Sequence, residues 1–110
     1  MAEEIVTLYV TCADEEEAAR LAHALIEARL AACGNVVPNI TSIYRWAGKI
    51  EKAREVALLL KTRAALITPA SARIRALHSY ETPCIVAWPV MGGDAAYADW
   101  VRAETAGGEQ

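Results

Sequence analysis

The stretch Val36–Thr62, VVPNITSIYRWAGKIEKAREVALLLKT, decides the fold. Two β-type segments flank one turn signal, Trp46-Ala47-Gly48. The signal predicts a three-residue hairpin loop with Gly48 in the left-handed position, because glycine has no Cβ to clash at positive φ. On the first arm Ile40, Ser42, Tyr44 and Trp46 share one face, while Thr41, Ile43 and Arg45 share the other. On the second arm Val56, Leu58 and Leu60 oppose Ala57, Leu59 and Lys61. Each arm runs about ten residues or more, against roughly five or six for an ordinary strand. Such a hairpin overhangs the sheet of a small domain. Its bare edges template pairing, and another copy of the chain is the natural partner.

Outward from the hairpin, Ile5–Thr11 reads as a first strand, apolar on both parities through Val6, Leu8 and Val10 and through Ile5 and Tyr9. Asp14 reads as an N-cap, and Glu15, Glu16 and Glu17 load the first helical turn, where carboxylates complement the dipole. Ala18, Leu21, Ala22, Leu25 and Ala28 recur at helical spacing. Gly34 is expected to end that helix. After Thr62 a second helix begins at Thr68-Pro69 or a turn earlier, over Ala64–Ile67, with Ala70, Ile74 and Leu77 as its apolar stripe. Cys84–Val90 is a fourth strand. Gly92-Gly93 is a loop, and Asp94 caps a short third helix with Tyr97, Trp100 and Val101 inward. Residues 105–110 are expected to be a frayed tail.

The order βαββαβ plus a terminal helix predicts an α+β, ferredoxin-like antiparallel sheet with both crossover helices on one face. Ile5, Tyr9, Ala57 and Leu59 make the other face too apolar for water, so a second sheet from another subunit is the expected cover.

Composition bounds the function. At 110 residues the chain is one domain, spanning 1–110. It is 55% hydrophobic, but it has 23 alanines and no Phe, so much of that share buries little area. A net charge of −3 argues against nucleic acid, which needs a basic stripe. Neither an apolar run of about 20 residues nor a basic amphipathic helix points to membrane. The start MAEEIVTLYV lacks the features of a signal peptide. Cys12, Cys33 and Cys84 are an odd, unpaired set. They are not a disulfide framework, and a reducing cytoplasm is expected.

Three segments carry a resemblance: ARLAACGNVVPNITSIYRWAGKIEKAREVALLLKT, RIRALHSYETPCIVAWPV and GDAAYADWV. With Tyr44-x-Trp46-x-Gly48-x-Ile50, Lys61-Thr62 and His78-x-Tyr80-Glu81-x-Pro83 in order, the chain from about Thr7 to Val101 resembles the CutA (divalent-cation tolerance) family. The resemblance implies a ferredoxin-like fold in a tight homotrimer, similar to the trimers of PII signalling proteins. Hairpins carrying Tyr44, Trp46, Gly48 and Ile50 would then pair across subunits. It implies a mostly cytoplasmic protein in bacteria, linked to tolerance of copper and other divalent metals, with no established catalytic activity. Animal relatives are associated with anchoring a membrane enzyme.

Soft divalent cations take thiolate and imidazole ligands. Strand four runs antiparallel beside strand one, so Cys12, Cys84 and His78 are expected at one end of the sheet. These three are the candidate ligands for copper or another divalent cation. The competing readings are a buried thiol acting as a small hydrophobe and a His78 that caps its helix. Some members of the family carry Cys where this chain has Val10 and paired His where it has Leu77-His78. His78 alone of that set is present here. Cys33 reads as core, and His23 as surface. His78, Tyr80 and Glu81 could form an acid–base cluster, but no nucleophile elbow or phosphate loop accompanies them, so the chain reads as non-enzymatic. The alternative is a PII-like module with small-ligand sites in intersubunit clefts.

Overall fold

The central strand is β1 (Ile5–Cys12), buried along most of its length. A computed structural model describes residues 3–108. The chain continues through α1 (Glu15–Glu27), β2 (Cys33–Trp46), β3 (Lys49–Arg63), a 3-10 turn at Ala64–Leu66, α2 (Ile67–Leu77), β4 (Ile85–Pro89) and α3 (Ala95–Glu104). The four strands form one sheet in the order β2-β3-β1-β4, and every pair is antiparallel. This is the expected α+β, ferredoxin-like arrangement.

The register fixes the faces. Leu8 pairs with Leu60 and Ala87, and Val10 with Leu58 and Ile85. Leu8, Val10, Leu58 and Leu60 meet Leu21 and Leu25 of α1 and Ala70 and Ile74 of α2 in one core, with Ile85 packed against it. Each fully buried Leu there contributes roughly 1.5–3 kcal/mol relative to an exposed one.

Helix α1 starts as its sequence dictates. The Glu17 N–H donates to Asp14 Oδ1 at 2.8 Å. Its end departs from expectation. The helix stops at Glu27, and Arg29 takes the left-handed turn at φ 60°. Gly34 lies inside β2, where a Cβ would come within 3.1 Å of Ala22 and Leu60. Its role is close approach of helix to sheet rather than termination. Helix α2 takes the longer of the two expected starts, with Pro69 inside its first turn, where a backbone N–H would have no intrahelical acceptor.

The hairpin arms are 14 and 15 residues long. Trp46 pairs directly with Lys49, so the loop is the two residues Ala47-Gly48, not three. Both have positive φ, 53° and 81°, which is the primed turn that matches strand twist. A bulge interrupts β2 between Val37 and Ile40. Pro38 has no N–H to give the ladder, and Asn39 adopts φ 64°. Beyond the bulge the arms leave the body of the fold, and the molecule measures 47 × 27 × 22 Å.

The face away from α1 and α2 is partly covered by α3. Val101 is fully buried with Ile5 and Ala32. Tyr97 and Trp100, expected inward, are exposed, because a helix this short turns one narrow stripe to the sheet. Thr105, expected to begin a frayed tail, is fully buried. Arg63 fastens it by donating from Nε to Oγ1 at 3.0 Å and from Nη2 to the carbonyl at 2.8 Å. The rest of this face stays open, with Tyr9 stacked on Trp88 at 5.1 Å between centroids.

Candidate metal centre

Three donor-bearing side chains meet where β1 runs into α1 and α2 ends. The ligand atoms of Cys12, Glu17 and His78 lie within 4.8 Å of one another. Cys12 is the last residue of β1 and points into the helix-side core with no exposure. His78 is the C-cap of α2, its backbone N–H donating to the Ile74 carbonyl at 2.9 Å. Its imidazole is completely buried. Capping and clustering are therefore not alternatives, because the backbone does the first and the side chain the second.

Glu17 is the member that the sequence reading placed only in the first turn of α1. Its side chain is 4% exposed. Oε1 accepts from the Ala13 N–H at 2.9 Å and Oε2 from the Ser79 N–H at 2.7 Å. Desolvation pushes its carboxyl up, but the N–H donors of Ala13 and Ser79 outweigh it and hold it below the ordinary value. A buried carboxylate therefore stays charged and ties the start of α1 to the end of α2. The signal was legible as Asp14-x-x-Glu17, a cap residue followed three positions later by a carboxylate that reaches back.

Cys84 stands apart from this cluster. Val10 pairs with Ile85, so continuing that register sets Cys84 level with Thr11, on the face opposite Cys12. Cys84 is exposed, Cys33 half-buried and Cys12 buried. Cys33 is not pure core either, for its Sγ lies 3.1 Å from the Tyr97 hydroxyl. That contact, with burial second, pushes the phenol up to about 12. Glu81 is exposed, as is His23.

Around the cluster runs a hydrogen-bonded shell. The Tyr80 N–H donates to His78 Nδ1 at 3.0 Å, and His78 Nε2 lies 2.9 Å from the Thr11 carbonyl. The Tyr80 ring sits against the imidazole at 4.7 Å between centroids. Its hydroxyl donates to Glu55 Oε2 at 2.6 Å. Burial, then the carboxylates of Glu55 and Glu17, push the Tyr80 phenol well above its usual value. Burial first, then Glu17 and Glu55, push the Cys12 thiol from 9.0 up to about 12. Cys12 is thus a protonated thiol, not an activated nucleophile.

Thiol, imidazole and carboxylate are the donor set of a borderline-to-soft divalent cation. The set fits such an ion in chemistry and spacing. Occupancy requires loss of the Cys12 proton, which is how thiols bind metals generally.

A four-stranded antiparallel sheet with helices packed on one face, an overhanging hairpin and a buried thiol–imidazole–carboxylate cluster define a small ferredoxin-like protein. Residues 6–104 match the model of the CutA1 divalent ion tolerance protein family. The chain is 46% identical over 103 residues to the divalent-cation tolerance protein CutA of Thermus thermophilus, covering 94% of this chain and 98% of that one. It is 44% identical over 97 residues to human protein CutA, covering 88% of this chain and 54% of that one. The chain spans about half the length of such animal relatives. The solved structure of the periplasmic divalent cation tolerance protein CutA from Archaeoglobus fulgidus superposes with a TM-score of 0.89 at 40% identity, covering 92% of this chain and 98% of that one. The chain belongs to the CutA1 divalent ion tolerance family, which is named for tolerance and not for a reaction.

Proposed function

We propose that this protein is a non-enzymatic, cytoplasmic homotrimer that takes up copper or a similar divalent cation. The observation that carries the reading is the convergence of Cys12, Glu17 and His78 within 4.8 Å in a water-poor corner of the fold. Cys12 and His78 would hold the ion and Glu17 would balance its charge. Bound there, the ion supplies no catalytic step. The chain sequesters it, and each ligand must first give up a proton or a hydrogen bond, which makes for modest affinity.

Two surfaces support self-association. Ile43, Trp46 and Ile50 near the hairpin tip are between 64% and 70% exposed. Val37, Val86 and Trp88 lie half-exposed on the open sheet face. β2 is an edge strand of 14 residues with one neighbour. Long apolar edges of this kind are rarely left bare. The partner in this reading is another copy, not nucleic acid or a membrane. No helix among the described residues is long and apolar enough to cross one.

Copper and zinc titrations of the protein, with and without His78→Ala, test the cation site. The reading expects binding that His78→Ala weakens at least tenfold; equal binding in both removes His78 from the site. A second reading, a PII-like small-ligand module, draws on a cavity of about 410 Å³ between the start of β1, residues 90–95 and α3, whose lining includes Lys61, Asp94 and Arg102. A thermal-shift screen against nucleotides and small metabolites discriminates, since a stabilising ligand favours it and a blank screen counts against it.

A further inference from the structure

Both nitrogens of His78 are engaged, and the partners fix the tautomer. The Tyr80 backbone N–H can only donate, so Nδ1, 3.0 Å away, must present a lone pair. Nε2 therefore carries the hydrogen and donates it to the Thr11 carbonyl at 2.9 Å. If a cation is ligated through Nδ1, it takes the lone pair that Tyr80 uses. If it is ligated through Nε2, a neutral ring must move its proton to Nδ1, and the same lone pair is lost. Either route leaves the Tyr80 N–H without its acceptor.

Tyr80 is held at its other end too. Its hydroxyl donates to the Glu55 carboxylate at 2.6 Å, and Glu55 is 9% exposed. Glu55 pairs with Ile40, the first residue of β2 after the bulge. Tyr80 thus bridges the imidazole to the root of the hairpin.

We propose that the Tyr80–Glu55 pair is a latch on the cation site: it holds the Tyr80 backbone against His78 and so opposes ligation, and a bound cation in turn frees Tyr80 from His78 and signals occupancy to the base of the hairpin. This rests on the cation site proposed above. The two effects are one coupling seen from either end, because linkage between sites is reciprocal. Tyr80 and Glu55 are positioning residues, and a purely structural role for them predicts the opposite sign. Losing a structural support loosens the site and weakens binding, whereas losing a latch strengthens it.

Zinc is the probe, since it does not oxidise thiols. Its affinity is measured by calorimetry on the full chain as wild type, Tyr80→Phe and Glu55→Gln, with amide exchange at Tyr80 followed with and without zinc. The latch predicts that Tyr80→Phe binds zinc roughly 5-fold or more tightly than wild type, as couplings of this kind do. Glu55→Gln, which keeps an acceptor but not its charge, should gain less. Saturating zinc should speed exchange of the Tyr80 amide in the wild type. Equal or weaker binding by both folded variants, or a Tyr80 amide that zinc leaves unchanged or slows, overturns the latch. Should Tyr80→Phe fail to fold, Glu55→Gln and the wild-type exchange decide. Zinc binding that His78→Ala leaves intact overturns the site reading itself, and the latch with it.

Discussion

Tyr80 and Glu55, 25 residues apart in sequence, are joined by a hydroxyl–carboxylate hydrogen bond of 2.6 Å at the edge of the Cys12 cluster. A hydrogen bond to a charged acceptor contributes more than a neutral one, and an unpaired buried carboxylate is costly. Removing the hydroxyl with Tyr80→Phe is therefore expected to lower stability by about 1–2 kcal/mol, discounted because the tyrosine is only part-buried. Urea unfolding checks it. An unchanged midpoint would mean that Glu55 finds water instead.

The alkaline limb of stability follows from Cys12 and Tyr80, whose protons are held more tightly in the fold than in the unfolded chain. The Cys12 thiol rises from 9.0 to about 12 through burial and then its two carboxylate neighbours. A group raised in this way contributes stability that is complete below its unfolded value and is lost as pH climbs toward the folded one. Stability should hold to about pH 9 and fall between there and pH 12, more shallowly in Cys12→Ser. Denaturant midpoints across that range measure it.

On the acid side the sign reverses. Glu17 is lowered from 4.5, its hydrogen-bond donors prevailing over desolvation. Its contribution is present above 4.5 and is lost as pH falls through the depressed value. Glu17→Gln should cost about 1–3 kcal/mol at neutral pH, since Ala13 and Ser79 lose a charged acceptor. The gap between variant and wild type should shrink in acid.

The three thiols should separate by reactivity. Cys84 is exposed, Cys33 half-buried and Cys12 buried with its thiol protonated. Thiolate fraction and access set the rate. Alkylation at pH 8, followed by mass spectrometry, should modify Cys84 first, Cys33 next and Cys12 last. Early modification of Cys12 would contradict the closed cluster.

Charge at the hairpin tip tests the proposed assembly. Ile43 and Ile50 are 69% and 70% exposed in the single chain. Replacing either with Lys in the homotrimer reading places a cation in a subunit contact. Sedimentation should show the trimer dissociating at higher concentration than wild type, with the chain itself still folded.

Much of the fold was legible because its signals are local. The Asp14 cap, the alternating arms around Gly48 and the βαββαβ order each follow from short-range spacing. The errors also have local causes. Gly34 reads as a helix terminator when glycine is taken as punctuation, yet the tight fit against Ala22 and Leu60 requires it. Trp46-Ala47-Gly48 reads as a three-residue loop because Ala47, unlike glycine, gives no notice of its φ of 53°. Topology alone brought Cys12 and His78 together, but Cys84 needed the strand register to be ruled to the other face. Glu17 was half-visible in Asp14-x-x-Glu17. The Tyr80–Glu55 contact was not visible at all. It joins a loop to a long strand near a bulge, whose only signal was Pro38-Asn39.

Cobalt(II) titration of a Cys33→Ser, Cys84→Ser protein, read by near-ultraviolet absorption, tests the cation site most directly. A thiolate–cobalt bond gives a charge-transfer band, and Cys12 is the one thiol left to make it. The account predicts a saturable band that disappears in the further variant Cys12→Ser and weakens in His78→Ala. Cobalt binding with no such band, or a band indifferent to His78, would contradict it.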